Sequence, residues 1–199
     1  MTLADRVRAA LAETADHPVP YASDMRERPD GPAIPAAVLI AITDRPENQE
    51  FGPGLILTQR PTTMRRHAGQ VAFPGGRIDP EDDDAIDAAL REAEEEVALP
   101  RAQVHIVDVL HDYRTITGFD ITPVIGIIPP DLPLVAHPRE VAAVFEVPLS
   151  FIFDPANRAE RTIMVEGTER RYFEIMWGER RIWGATAAML ANLSARLRW

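Results

Sequence analysis

The chain has 199 residues, 46% hydrophobic and 26% charged, with a formal net charge of −10; this composition suits a folded globular protein and argues against disorder. All 21 non-histidine basic side chains are arginine and cysteine is absent, which excludes Schiff-base and phosphate-loop lysine chemistry, disulfides, thiolate zinc sites and a cysteine nucleophile. The acidic balance disfavours a nucleic-acid-coating surface, and no apolar run reaches the roughly 18–20 residues needed to span a bilayer.

Residues 3–14 set Leu3, Val7, Ala10 and Leu11 at helical spacing and read as a short amphipathic helix. The same stretch mixes acid and base and lacks the apolar run of a signal peptide, so a cytoplasmic enzyme is expected. Residues 17–35, rich in Pro, Asp and Arg, read as an extended arm. The apolar, branched run 36–43 predicts a buried strand, 55–59 a second, and the polar segment 44–54 their hairpin connection. A short strand over 70–73 runs into Pro74-Gly75-Gly76. Residues 84–98 carry the clearest helix: Ile86, Leu90, Ala93 and Val97 fall within roughly a 60° arc, and Pro100 closes it. Strands are expected at 104–110, 121–128 and 141–147, with Pro129, Pro130, Pro133 and Pro138 confining the segment before the last to a loop. Residues 162–165 and 171–176 resemble a hairpin turning at Glu166-Gly167-Thr168. Residues 185–197 predict a C-terminal helix with Met189, Leu190, Leu193 and Leu197 as core contacts. Strands and helices mix without strict alternation, so the expectation is an α/β protein with one mixed sheet covered by helices.

Chemistry concentrates in Leu90-Arg91-Glu92-Ala93-Glu94-Glu95-Glu96-Val97. Glu92, Glu95 and Glu96 stand at i, i+3 and i+4, on one face, away from the apolar stripe. Like-charged neighbours cost about 0.2–0.5 kcal/mol per pair, and the helix C-terminus disfavours each by about another 0.3–1 kcal/mol. A hard cation would reverse that cost, and an oxygen-only ligand set suits Mg²⁺ or Mn²⁺. The alternative for such a helix is a solvated charged face. Glu94 points elsewhere and is expected to be dispensable.

Upstream stands Phe73-Pro74-Gly75-Gly76, then an acidic loop, then Arg91-Glu92-Ala93-Glu94-Glu95-Glu96-Val97-Ala98-Leu99. This resembles the Nudix box: a Gly, a spacer with an acid, then Arg-Glu-apolar-any-Glu-Glu-any-Gly-apolar. The resemblance implies a Nudix-type α/β/α sandwich with a mixed β-sheet, read here as one hydrolase domain over 1–199, with the helix and arm in 1–33 and the box in 75–99. It implies a divalent ion, Mg²⁺ or Mn²⁺, held by Glu92, Glu95 and Glu96. Gly75 and Gly76 allow close backbone approach, so a carbonyl there can join the carboxylates and contact substrate. Arg91 is placed to pair with acids of the preceding loop and is itself a catalytic candidate. Three features depart from the box. The spacing from Gly76 to Arg91 is one residue longer, its acidic position falls to Asp82, Asp83 or Asp84, and Ala98 stands where Gly is usual.

Before the box, Leu57-Thr58-Gln59-Arg60-Pro61, Arg65, Gly69 and Val71 lead into Phe73-Pro74-Gly75-Gly76. This resembles the extra motif of the coenzyme A pyrophosphatase branch, with Pro61 where Ser or Ala is usual. Tyr113, Thr117-Gly118-Phe119 and Ile182-Trp183-Gly184-Ala185-Thr186 are also similar to that branch. The implied reaction is hydrolysis of the CoA diphosphate to 3′,5′-ADP and 4′-phosphopantetheine. Arg60 and Arg65, with Arg66 weaker, are then the guanidinium forks for the phosphates. Glu95 is a third metal ligand or the general base; Glu140, in the later Pro138-Arg139-Glu140-Val141 loop, is a second base candidate. His67 is expected to face solvent, and Trp177, Trp183 and Trp199 to pack. Alternative readings are hydrolysis of ADP-ribose or a dinucleotide, or a catalytically silent nucleotide-binding module. The expected partner is a small-molecule substrate rather than nucleic acid or membrane; the arm and C-terminal hairpin are candidate homodimer contacts or substrate covers.

Overall fold

The apolar run predicted as a buried strand is the centre of the molecule. The computed structural model describes residues 1–17, 21, 23, 32–63, 67–165 and 167–197. In it, β1 (Ile34–Thr43) begins two residues before the run and is flanked by β2 (Gly54–Gln59) and β7 (Phe119–Ile128). β1 and β7 are parallel, with Val38 opposite Pro123 and Ile40 opposite Ile125. β3 (Val71–Ala72) and β8 (Ala143–Pro148) pair antiparallel with β2. β4 (Gly75–Arg77) pairs with the start of β1, and β5 (His105–Val109) and β6 (Tyr113–Arg114) pair with β7. The sheet is therefore mixed.

Successive strand residues point to opposite faces. Ala37, Leu39 and Ala41 join Val124 and Ile128 against the helix α2 (Ala85–Val97). Val38, Ile40 and Ile42 join Leu55, Leu57 and Ile125 in the other layer, under α1 (Leu3–Glu13) and α4 (Gly184–Leu197). Burial on both faces explains why β1 reads as an unbroken apolar run. Each fully buried Leu or Ile there contributes about 1.5–3 kcal/mol. The result is an α/β/α sandwich.

The element boundaries show what the sequence hid. α1 opens on a capping box in which Thr2 and Asp5 exchange hydrogen bonds, and stops one residue short of Thr14, which caps it. The strand expected at 70–73 is only Val71–Ala72, and β4 follows beyond Pro74. β4 and β6 are too short to show a period, and glycine carries no strand signal. A five-residue helix, α3 (Leu149–Phe153), follows β8 directly. The hairpin strands are longer than predicted: β9 (Arg158–Val165) and β10 (Thr168–Trp177), so Thr168 is strand rather than turn, while Glu166 lies outside the described residues. β11 (Arg180–Trp183) completes a second sheet ordered β11-β10-β9, and α4 packs on it. Of the expected arm most lies outside the described residues; Ser23 forms a bridge to Arg114.

Candidate active site

Two glycines set the geometry. A Cβ on Gly75 would collide with the Ala37 carbonyl, and one on Gly76 would collide with the Glu92 carboxylate. Only bare backbone lets β4 lie this close to both β1 and α2. Glu96 is 5% exposed and its Oε2 accepts the Gly75 N–H at 3.2 Å. Burial pushes its carboxyl up to about 7, with the charges of Glu92 and Glu140 adding and the Gly75 N–H and Arg60 opposing. Burial likewise raises the Glu92 carboxyl, against the pull of Arg91.

The three box carboxylates are thus not equivalent members of one solvated face. Glu96 shares the buried side with Ala93 and Val97, Glu92 is half-buried, and the Glu95 side chain is 60% exposed. Ile86 and Leu90 of the expected stripe are only half-buried. The cause is β4, whose glycines bury the Glu92 and Glu96 side of the helix. Glu94 points outward and meets Arg101 at 3.4 Å.

Arg91 organises the loop. Its Nε and Nη2 donate to the two oxygens of Asp82, both at 2.8 Å, and its Nη2 also donates to the Arg77 carbonyl at 3.1 Å. Its Nη1 reaches Glu92 at 3.0 Å and Glu95 at 3.3 Å. Of the three candidate acids, Asp82 takes this position. Asp84 caps the helix by accepting the Asp87 N–H at 2.9 Å, and the Asp83 N–H donates to Asp87. The guanidinium holds the Asp82 carboxyl down at about 2. Arg91, proposed from the sequence as catalytic, has the contacts of a positioning residue.

Glu140 arrives by the Pro-rich loop. The Val135 and His137 N–H groups donate to the Val97 and Glu96 carbonyls at 2.9 and 2.8 Å, satisfying the end of α2. This brings the exposed Glu140 within electrostatic reach of both Glu92 and Glu96.

Beside the glycines opens a cavity of about 530 Å³, lined among others by Arg60, Gly75, Gly76, Arg77, Phe119 and Trp183. The Arg60 Nε is buried without a hydrogen-bond partner, and Arg60 makes no ion pair among the described residues. Thr117 and the Trp183–Thr186 run, distant in sequence, meet on the same wall. Arg65 and Arg66 lie outside the described residues, as does Trp199. His67 is exposed, as expected, yet also lines the cavity; its Nδ1 lies 2.6 Å from the Gln70 Oε1. Trp177 packs edge-on against Phe151, whereas Trp183 both packs against Tyr172 and lines the cavity. Arg77, missed in the sequence, stands on this wall too. A larger hollow of about 820 Å³, between Phe51 and Phe153, contains none of the candidate residues.

No three acidic or histidine side chains among the described residues converge on one point. Glu92 and Glu96 nevertheless offer two partly or fully desolvated carboxylates one turn apart, of which only Glu92 is ion-paired among the described residues, to Arg91; an oxygen-only set of this kind fits a hard divalent cation that keeps several waters.

The chain matches the model of the NUDIX domain family over residues 33–175. It is 46% identical over 162 residues to the uncharacterized Nudix hydrolase NudL of Escherichia coli K12, covering 81% of this chain and 82% of that protein. The NudL of Cronobacter sakazakii gives the same identity and coverage. Among solved structures, the Nudix hydrolase RenU of M. smegmatis superposes with a TM-score of 0.50 at 22% identity, over 63% of this chain and 76% of that one, a likeness of fold.

Proposed function

The chain belongs to the Nudix hydrolase family, and from that premise we propose that it is a divalent-metal-dependent diphosphatase acting on coenzyme A or an acyl derivative. The products are 3′,5′-ADP and 4′-phosphopantetheine or its acyl form. One observation carries the diphosphate part of this reading, and the choice of CoA rests on the resemblance of residues 57–76. Arg60, at the end of the Leu57–Arg60 motif, lines the same cavity as Gly75 and Gly76, with its Nε buried and unpaired and its charge within the field of Glu96.

Glu92 and Glu96 would hold the cation, with Glu95 as the outer third carboxylate. When bound, Mg²⁺ or Mn²⁺ neutralises diphosphate charge and acidifies a water. Arg60 binds a phosphoryl oxygen by a charge-assisted hydrogen bond. Arg91, through Asp82, fixes the loop that carries the glycine edge. Glu140 is the general base of this reading, because Glu95 is engaged by Arg91 at 3.3 Å whereas the ion pair of Glu140 among the described residues is the longer one to His137, at 4.0 Å. It takes the proton of the attacking water as the water–phosphorus bond forms and the bridging P–O bond breaks. Electrostatic placement of this kind is the main source of rate in phosphoryl chemistry.

The test is a chromatographic comparison of kcat/KM for CoA, ADP-ribose and a dinucleotide, with Mg²⁺ or Mn²⁺ supplied. A preference for CoA of about tenfold or more is expected, the worth of one extra charge-assisted contact. Equal or better turnover of ADP-ribose would discard the substrate while leaving the carboxylate site in place.

A further inference from the structure

Arginine in this acidic protein is mostly engaged. Arg45 pairs with Asp131 and Glu146, Arg91 with Asp82, Arg101 with Glu94, and Arg114 with Asp120. Arg77 is different. It is exposed and makes no ion pair among the described residues, and its guanidinium carbon lies 5.7 Å from the centroid of the Phe119 ring. A cation–π contact with an aromatic face leaves the N–H groups of a guanidinium free to donate. Phe119 is itself fixed: its N–H donates to the Thr115 Oγ1 at 2.9 Å and its carbonyl accepts the Thr115 N–H at 2.8 Å.

The strand fixes which way Arg77 faces. A side chain on Gly76 would point at Glu92, so the next residue along β4 points to the opposite side, where Phe119 and the cavity lie. Arg60 stands within the field of Glu96, at the carboxylate end. Two unpaired guanidinium groups therefore line one cavity, one at the carboxylates and one on the face turned away from them.

We propose that Arg77 binds a phosphate monoester on the substrate's adenosine, separately from the diphosphate beside Arg60. On the CoA reading, on which the ligand's identity rests, this is the 3′-phosphate. Arg77 is then the residue that distinguishes a 3′-phosphorylated adenosine from a plain one.

The experiment is calorimetric titration of the full chain with 3′,5′-ADP and with 5′-AMP, for wild type and Arg77→Gln. Wild type should bind 3′,5′-ADP about ten- to a hundredfold more tightly than 5′-AMP, as a charge-assisted contact to a monoester would give. In Arg77→Gln that ratio should fall toward one, with Arg77→Lys between them because it keeps the charge and loses the fork. A ratio unchanged by Arg77→Gln, or wild type that does not distinguish the two nucleotides, overturns the proposal. Hydrolysis of CoA is read separately. An Arg77-dependent preference without CoA turnover would overturn only the substrate reading, and CoA turnover without that preference would overturn only the role of Arg77.

Discussion

Asp82 shows how one side chain sets a loop. Its side chain is 2% exposed and receives both forks of Arg91. Asp82→Asn should destabilise the protein by about 1–3 kcal/mol, because one charge of the pair is lost and Arg91 is left undercompensated. The pH dependence has a definite sign. The folded carboxyl sits at about 2, below its ordinary 3.8, so its contribution is present above 3.8 and is lost as pH falls toward 2. The gap between wild type and Asp82→Asn in urea midpoint should be full at neutral pH and narrow on acidification; a gap that widened would contradict the pairing. The sequence offered Asp82, Asp83 and Asp84 equally, since the choice depends on how Arg91 reaches back across nine residues. Arg77 escaped notice because a lone arginine after two glycines has no pattern of its own. Its meaning comes from Phe119, far along the chain.

At the level of elements, α2 was legible almost to the residue, and its end holds a strained position. Ala98 caps it with a left-handed backbone, φ 54°, where the family pattern has Gly. A left-handed conformation costs a side-chain-bearing residue about 1–2 kcal/mol, partly offset by the lower unfolded-state entropy of Ala. Ala98→Gly should therefore stabilise by about 0.5–1 kcal/mol, read as a raised melting temperature. A lowered one would mean that the cap is set by contacts rather than by backbone preference. The spacing of Glu92, Glu95 and Glu96 was legible; their unequal burial was not. That inequality comes from a glycine strand some 20 residues upstream, and helical periodicity holds no information about what will lie against a face. The short strands and α3 were invisible for the same reason, being defined by their partners.

In the whole molecule, the double-sided burial of β1 was readable as an apolar run, and with it the sandwich. The parallel pairing of β1 with β7 was not, because it joins segments far apart in sequence; of the second sheet the β9–β10 hairpin was readable, while β11 is too short to show a period. The layer opposite α2 is held by α1, whose Val7 and Leu11 are 0% and 1% exposed, and by α4, whose Arg196 donates to the Leu11 carbonyl at 3.0 Å. Leu11→Ala should cost about 2–5 kcal/mol in denaturant unfolding by leaving a cavity. The carboxylate edge lies across the sheet, so kcat should hold while the variant remains folded; a fall in kcat would show that the two layers are coupled. The central claim is that the buried edge of Glu92 and Glu96 drives diphosphate hydrolysis, and Glu94 provides an internal control on the opposite side of the same helix. The deciding measurement is the rate of 3′,5′-ADP release from CoA at saturating Mg²⁺ by Glu96→Gln and by Glu94→Gln. The account predicts a loss of about two orders of magnitude or more for Glu96→Gln, the scale of a removed metal-ligand charge, and little change for Glu94→Gln. Comparable rates for the two would contradict it.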